Sequence, residues 1–138
     1  MKSASEILEQ LKPLLVEVLG VRPDEIHPHC ELVGDLGAES IDLLDLTFRI
    51  EAAFKVRIEA NELERQAIQQ MPGGVYEQDG YLTDEALAEI RRAAPELDQD
   101  KLVAGLRKAD IPALLTVGFF VSLIQRKLSV SEEGAAHA

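Results

Sequence analysis

Apolar residues recur at helical spacing along most of the 138-residue chain, whereas the period-two alternation of strands is scarce. Three stretches carry the clearest stripes: Ile7, Leu11, Leu14, Leu15, Val18 and Leu19; Leu43, Leu46, Ile50 and Phe54; and Val117, Phe120, Val121, Ile124 and Leu128. A helix with such a stripe needs a partner to bury it. The pattern therefore predicts an all-α fold.

Residues that favour helix ends bracket these stripes. Ser3 and Asn61 are each followed three residues later by Glu, the spacing of a capping box, and Thr116 is positioned to cap the last helix. Gly20 is placed to end the first helix. Pro13 lies inside that helix, where its missing N–H predicts a kink.

One segment, residues 69–113, is additional to a simple bundle. It opens with the helix-breaking sequence Met-Pro-Gly-Gly at 71–74. Thr83 is then positioned to cap a helix over residues 84–93, and a second helix is predicted over about 98–108. The segment is therefore predicted to be a helical hairpin inserted into a four-helix bundle.

The length of the chain suits one domain. We predict a single domain over residues 1–128, with its core at about 3–68 and 114–128, and a flexible tail at 129–138. Cys30 is the single cysteine, which excludes an intramolecular disulfide and fits a reducing compartment. With no apolar run long enough to cross a bilayer and no signal-peptide pattern, we expect a cytoplasmic protein.

Acidic residues dominate the charge of the chain. Lys and Arg number 14 against 25 Asp and Glu, a net charge of −11, and residues 24–64 alone carry eleven acids against three bases. A field of this sign repels nucleic acids and anionic membrane surfaces. A basic protein surface is the expected partner, and the middle of the chain is where we look for function.

Ser40 stands in this acidic stretch, at a predicted loop-to-helix junction. Its residue type alone favours a helix cap. A nucleophilic role is disfavoured, because no Gly-x-Ser-x-Gly surrounds it and the nearest histidines, His27 and His29, are ten or more residues away. A helix N-terminus also suits an attached phosphate, because its first N–H groups are unpaired.

The surrounding sequence, DLGAESIDLLDLTFRIEAAF at residues 35–54, resembles the phosphopantetheine-attachment region of acyl carrier proteins. The resemblance extends to residues 3–34, including LGVRPDEI, to residues 54–68 and to residues 114–128. About 93 residues, or 138 less the 45 of segment 69–113, match the family. The resemblance implies an acyl-carrier-protein-like four-helix bundle.

The same resemblance implies that Ser40 receives 4′-phosphopantetheine from coenzyme A, and that the thiol of this arm holds acyl groups as thioesters. It implies further roles by position: Asp35, Glu39 and Ile41 beside the attachment site; Asp42, Asp45, Phe48 and Glu51 in partner recognition; and Leu46, Ile50 and Phe54 in the acyl pocket. The chain would then be a carrier and not an enzyme.

The resemblance also implies partners. These are a phosphopantetheinyl transferase (a holo-carrier synthase) and acyl-loading, elongating or acyltransferase enzymes with basic docking patches. We expect the carrier itself to be a monomer that binds no nucleic acid and has no integral membrane segment.

The chain departs from the family pattern at several points. Glu39-Ser40-Ile41 replaces Asp-Ser-Leu, Arg49 interrupts the acidic face, and the insertion is additional. These features favour a specialised carrier in fatty-acid or secondary-lipid synthesis, such as lipid A-type or very-long-chain pathways. Two alternatives remain: an unmodified acidic helical interaction module, and a carrier of amino-acid or aryl cargo.

Two short motifs resemble metal sites and are disfavoured. The Asp79–Thr83 stretch is similar to the middle of a calcium loop, but Val75 and Ala86 occupy two positions where ligands are needed. Residues 27–30 offer two His and one Cys without a second cluster to complete a zinc site. We predict no metal site.

Overall fold

The computed structural model describes residues 2–59 and 61–136 of the chain. Six α-helices form in this part: α1 (Ala4–Leu19), α2 (Ser40–Phe54), α3 (Glu62–Gln69), α4 (Asp84–Ala93), α5 (Ile111–Leu114) and α6 (Val117–Ala136). A two-stranded antiparallel hairpin, β1 (Glu77–Gln78) and β2 (Tyr81–Leu82), is the sheet of the described chain. The predicted all-α class is confirmed, and none of the described helices is long and apolar enough to cross a membrane.

The predicted ends of α1 are confirmed. The Ser3 hydroxyl accepts a hydrogen bond from the Glu6 backbone N–H at 3.2 Å. Gly20 ends the helix with φ of 69°, in the left-handed region that favours glycine. The helix runs through Pro13 without a break.

The predicted Asn61 cap of α3 is wrong. Asn61 has a left-handed backbone (φ 59°) and its side chain makes no capping hydrogen bond. A capping residue normally has an extended backbone, which aims its side chain at the first turn. The Glu62 carboxylate instead accepts a hydrogen bond from the Glu59 N–H at 3.0 Å. The side chain of the first residue of α3 therefore holds the loop that precedes this helix.

Thr116 caps α6 as predicted. Its hydroxyl oxygen accepts from the Phe119 N–H at 3.1 Å, and the residue is only 2% exposed. The first two N–H groups of α6 bond to the loop before Ser40: Val117 donates to the Cys30 carbonyl at 2.9 Å and Gly118 to the Pro28 carbonyl at 2.8 Å. The start of α6 therefore anchors that loop.

Thr116→Val should lower the free energy of unfolding by about 1–2 kcal/mol, because it leaves the Phe119 N–H unpaired in a buried site. Chemical denaturation measures this loss. Thr47→Val is a matched control: the Thr47 hydroxyl bonds back to the Leu43 carbonyl within α2 and caps nothing, so the change should stay below about 0.5 kcal/mol. Equal effects of the two substitutions would contradict the capping role.

The insertion departs from the predicted helical hairpin. Its first helix is confirmed as α4, where the Thr83 hydroxyl accepts from the Ala86 N–H at 3.1 Å. The second predicted helix, over 98–108, is wrong. That stretch contains two single-turn 3-10 helices, Gln99–Lys101 and Lys108–Asp110, with non-helical chain between them.

The hairpin explains why this second helix does not form. Asp79 and Gly80 have φ of 57° and 87°, the left-handed pair typical of a tight hairpin turn. The Leu82 N–H donates to the Leu106 carbonyl at 3.0 Å, and the Lys108 N–H donates to the Gly80 carbonyl at 3.1 Å. Backbone groups near 106–108 therefore bond to the hairpin and not to a helical turn.

The insertion shares one hydrophobic core with the helices of the bundle. The buried cluster joins Ile7, Leu46 and Ile124 of α1, α2 and α6 to a set from the insertion. That set comprises Met71, Leu82, Ala86, Leu87, Ile90, Ala94, Leu97, Leu102 and Ile111. Helix α4 packs on α3, and α1 packs on both α2 and α6. No separate core divides the insertion from the bundle in the described residues.

Helix α6 is longer than predicted. It continues through residues 129–136, where the sequence predicts the start of a flexible tail. Residues 137 and 138 of that predicted tail lie outside the described residues.

Candidate functional site

Ser40 is the first residue of α2 and is exposed. The residue before it, Glu39, occupies the capping position, and its N–H donates to the Asp42 carboxylate at 2.9 Å. The serine is therefore not the helix cap that its residue type alone favours. Its hydroxyl stands at the start of the helix, where the N–H groups of the first turn have no partner within the helix.

The loop before Ser40 is fixed to the bundle. Leu32 is buried and its N–H donates to the Leu115 carbonyl at 3.1 Å, while the Ala38 N–H donates to the Leu32 carbonyl at 2.8 Å. The Asp35 carboxylate accepts from the Glu31 N–H at 2.8 Å. Asp35 thus holds a turn of this loop, which positions the serine.

The insertion also contacts this loop. The Lys101 ammonium lies 2.8 Å from one Glu31 carboxylate oxygen and 2.9 Å from the other. The hydrogen bond to Glu31 is the main cause that raises the pKa of Lys101. Lys101 therefore ties the insertion to the loop that leads to the serine.

The acidic residues predicted for partner recognition also have local partners. Asp42 closes the cap of α2, and the Glu51 carboxylate accepts from the Ile58 N–H at 2.9 Å. Asp45 lies 3.2 Å from the Arg49 guanidinium, which also contacts Glu17 of α1 at 2.5 Å. Arg49 therefore masks two carboxylates on this side of the bundle.

An exposed apolar stripe runs along α2 from Ser40. Ile41, Leu44 and Phe48 are 70%, 55% and 59% exposed, and their spacing places them on one helix face. Ile41 and Phe48 are predicted site residues and Leu44 is not, although Leu44 shares the same helical spacing. Apolar surface left open beside acidic side chains is typical of a protein-binding face.

A groove of about 850 Å³ begins at Ser40 and lies between α2, α3, α6 and the end of the insertion. Its apolar lining comprises Leu43, Leu44, Phe48, Ile58, Leu63, Ala109, Ile111, Pro112, Leu115, Phe119, Phe120 and Leu123. Of the residues predicted to have site roles, Ser40, Phe48 and Glu51 line it. The structure thus joins the serine to a largely apolar cavity.

The three residues predicted for an acyl pocket do not line this groove. Leu46, Ile50 and Phe54 are buried in the core and are absent from the groove lining. The groove uses the adjacent face of α2, where Leu43, Thr47 and Glu51 follow one another at four-residue intervals.

Two ion pairs hold α3 beside the groove. The Lys127 ammonium lies 2.7 Å from Glu62, and Lys108 of the insertion lies 3.0 Å from Glu64. Burial opposes ionisation of Glu62, but hydrogen bonds from Lys127 and the Glu59 backbone outweigh it and lower its pKa. The hydrogen bond to Glu64 raises the pKa of Lys108. These shifts favour the charged forms of Glu62 and Lys108.

The residues weighed as metal ligands are not brought together. Asp79 lies in the hairpin turn, and Cys30 is buried with its sulfur 3.5 Å from the Glu25 carbonyl. The His27 and His29 rings stack on each other at 5.5 Å. Across residues 2–59 and 61–136, no group of three His, Cys, Asp or Glu side chains is placed to hold a metal ion.

Comparison with known proteins matches the same part of the chain. Residues 9–71 match the family described as "Phosphopantetheine attachment site". The acyl carrier protein of Thermotoga maritima is 37% identical over 65 residues, which cover 47% of this chain and 80% of that protein. This chain therefore belongs to the acyl carrier protein family, as a helical carrier of covalently attached 4′-phosphopantetheine and not as an enzyme.

Proposed function

We propose that Ser40 is the residue that carries 4′-phosphopantetheine, and that the chain transports acyl intermediates as thioesters on this arm. The observation that carries the proposal is that Ser40 is the single serine within residues 9–71, the region that matches the attachment family. It is also exposed and opens onto the apolar groove.

The start of α2 suits an attached 4′-phosphopantetheine. A phosphodiester on the Ser40 oxygen would stand at the N-terminus of α2, where unpaired N–H groups and the positive end of the helix dipole favour an anion. The arm supplies a thiol that holds the acyl group as a thioester. Ser40 provides the point of attachment, and the fixed loop and the helix start orient it.

Mass spectrometry tests the proposal directly. The purified protein is incubated with coenzyme A and a phosphopantetheinyl transferase, its intact mass is measured, and fragmentation locates the modified residue. We expect one phosphopantetheine, on Ser40. A chain that stays unmodified under conditions that load another acyl carrier protein would contradict the proposal, and would favour an unmodified interaction module.

The partners that we propose are the transferase and acyl-loading, elongating or acyltransferase enzymes with basic surfaces. The supporting observation is the apolar stripe of Ile41, Leu44 and Phe48, which borders the acidic residues around Ser40. Complementary charge speeds association more than it strengthens binding. Charge changes on α2 should therefore be seen first in association rates.

Arg49→Gln is expected to speed loading by the transferase. The substitution removes one positive charge and frees the Glu17 and Asp45 carboxylates, so kcat/KM should rise several-fold at low salt and return towards wild type at high salt. Arg92→Gln, an equal charge change on α4, is the control and should have little effect. Equal responses of the two variants would mean that docking does not use this face.

We propose acyl chains as the cargo, in fatty-acid or specialised lipid synthesis with dedicated partner enzymes. The apolar lining of the groove supports this cargo over amino-acid or aryl groups. The mass of the thioester on protein isolated from its own host tests it. An aminoacyl or aryl mass would leave the proposed attachment site intact and would overturn the proposal that the cargo is an acyl chain.

A further inference from the structure

The end of the insertion forms part of the groove that opens at Ser40. Helix α2 supplies one side through Leu43 and Thr47, and α6 supplies another through Phe120 and Leu123. Between them, Lys108, Ala109, Ile111 and Pro112 of the insertion form a third side, together with Gly80 of the hairpin turn, and α3 contributes Leu63. A chain without the insertion would lack this third side.

Several contacts fix this third side in place. The Lys108 N–H bonds to the Gly80 carbonyl at 3.1 Å, and Tyr81 and Arg107 form a β-bridge. The Lys108 ammonium contacts Glu64 of α3 at 3.0 Å and Glu77 of the hairpin at 3.6 Å. Ile111 is buried in the common core. The segment is thus braced against α3, the hairpin and the core.

The shape and chemistry of this side suit an alkyl chain. Ala109 and Pro112 are exposed and line the groove without polar side-chain atoms, while the charge of Lys108 is matched by carboxylates. An alanine at the wall leaves space that a larger side chain would fill. A flexible chain attached at Ser40 enters a cavity whose lining begins at the same residue.

We propose that residues 108–112 form a wall of the acyl-binding groove and set the longest acyl chain that the carrier shields from water. The inference rests on the proposed attachment at Ser40. It adds a role for the insertion: this segment makes the carrier selective for chain length.

The test uses the whole protein, loaded from acyl-coenzymes A of increasing chain length by a phosphopantetheinyl transferase. A chain that binds inside the folded state raises Tm, because it stabilises that state alone. In the wild type we expect Tm to rise with chain length. In Ala109→Trp the rise in Tm should stop at a shorter chain, because the indole fills the groove. For the longest chain, at least about half of the wild-type gain in Tm should be lost.

Ala113→Trp is the matched control, because Ala113 is exposed on α5 but does not line the groove. It should follow the wild-type series. Ala109→Val, with a smaller added volume, should be intermediate, and it serves as the test variant if the unloaded tryptophan variant is unfolded.

The outcomes separate this inference from the attachment proposal. Failure of the wild type to gain the mass of the loaded arm overturns the attachment. If Ala109→Trp loads normally and its Tm rises with chain length as in the wild type, the proposed wall at residues 108–112 is overturned. Normal loading with no dependence of Tm on chain length in the wild type overturns it as well, since no chain is then shielded.

Discussion

Replacing Ser40 with alanine is expected to abolish phosphopantetheine attachment, with no gain of mass after incubation with transferase and coenzyme A. The substitution removes the oxygen that would form the phosphodiester. Residues 9–71 contain no second serine to replace it. Ser3→Ala is the matched control: Ser3 also lies at a helix start, where it caps α1, and its loss should leave loading unchanged.

The fold should not depend on the Ser40 hydroxyl. Glu39 and Asp42 close the start of α2 without it, so the Tm of unloaded Ser40→Ala should stay close to that of wild type. The substitution therefore separates a loss of attachment from a loss of structure. A mass gain that persists in Ser40→Ala would overturn the assignment, and fragmentation would then locate the true site.

Local signals in the sequence predicted most of the helix ends. Ser3, Gly20, Thr83 and Thr116 all act where the sequence placed them, because a cap depends on a side chain and the few residues after it. The prediction that Asn61 caps α3 is wrong for a reason that is also local. Its backbone is left-handed, which residue type alone does not reveal, and its side chain makes no capping hydrogen bond.

The second half of the insertion could not be predicted in this way. Residues 98–108 have a composition that permits a helix, yet Leu106 and Lys108 pair with the hairpin at Leu82 and Gly80. Those hydrogen bonds join positions more than twenty residues apart. The pair Asp79-Gly80 favours tight turns and is the sequence signal for the hairpin. The stretch around it is also compatible with a calcium loop or with the N-terminal turn of a helix, so the signal is not specific.

The groove shows a limit of helical periodicity. Helix α2 is apolar on more than one face. Leu46 and Ile50 are buried in the core, Leu43 lines the groove, and the exposed Leu44 and Phe48 border it as well. Periodicity identifies each stripe but not what covers it. The sequence therefore predicts Ser40 as the attachment site from a local motif, whereas the cavity beside it depends on α6 and on the insertion.

The position of the insertion connects its structural and functional roles. Lys101 is paired with Glu31 in the loop before Ser40, and Lys108 is paired with Glu64 of α3. The second pair holds α3, which lines the groove, and the first holds the loop that leads to Ser40. Surface ion pairs are individually weak, about 0–1 kcal/mol, so the buried side chains of the insertion must provide most of its attachment to the bundle.

Ile90→Ala tests that attachment and should lower the free energy of unfolding by about 2–5 kcal/mol, the range for truncating a fully buried aliphatic side chain. Ile90 is on α4, is fully buried and belongs to the cluster shared with the carrier helices. Val103→Ala removes methyl groups from an exposed position of the same insertion. It should change the free energy by less than about 0.5 kcal/mol.

The form of the transition is as informative as the size of the loss. Because one core joins the insertion to the bundle, Ile90→Ala should shift a single cooperative transition, with coincident curves from far-UV circular dichroism and from a probe on α2. Early loss of the insertion while the α2 probe stays native would show two cooperative units. In that case the wall at 108–112 could open without unfolding the carrier, and the groove would gain a means of admitting long chains. A single transition would mean that residues 108–112 stay in place while the carrier is folded, so that chains enter only through the opening of the groove at Ser40.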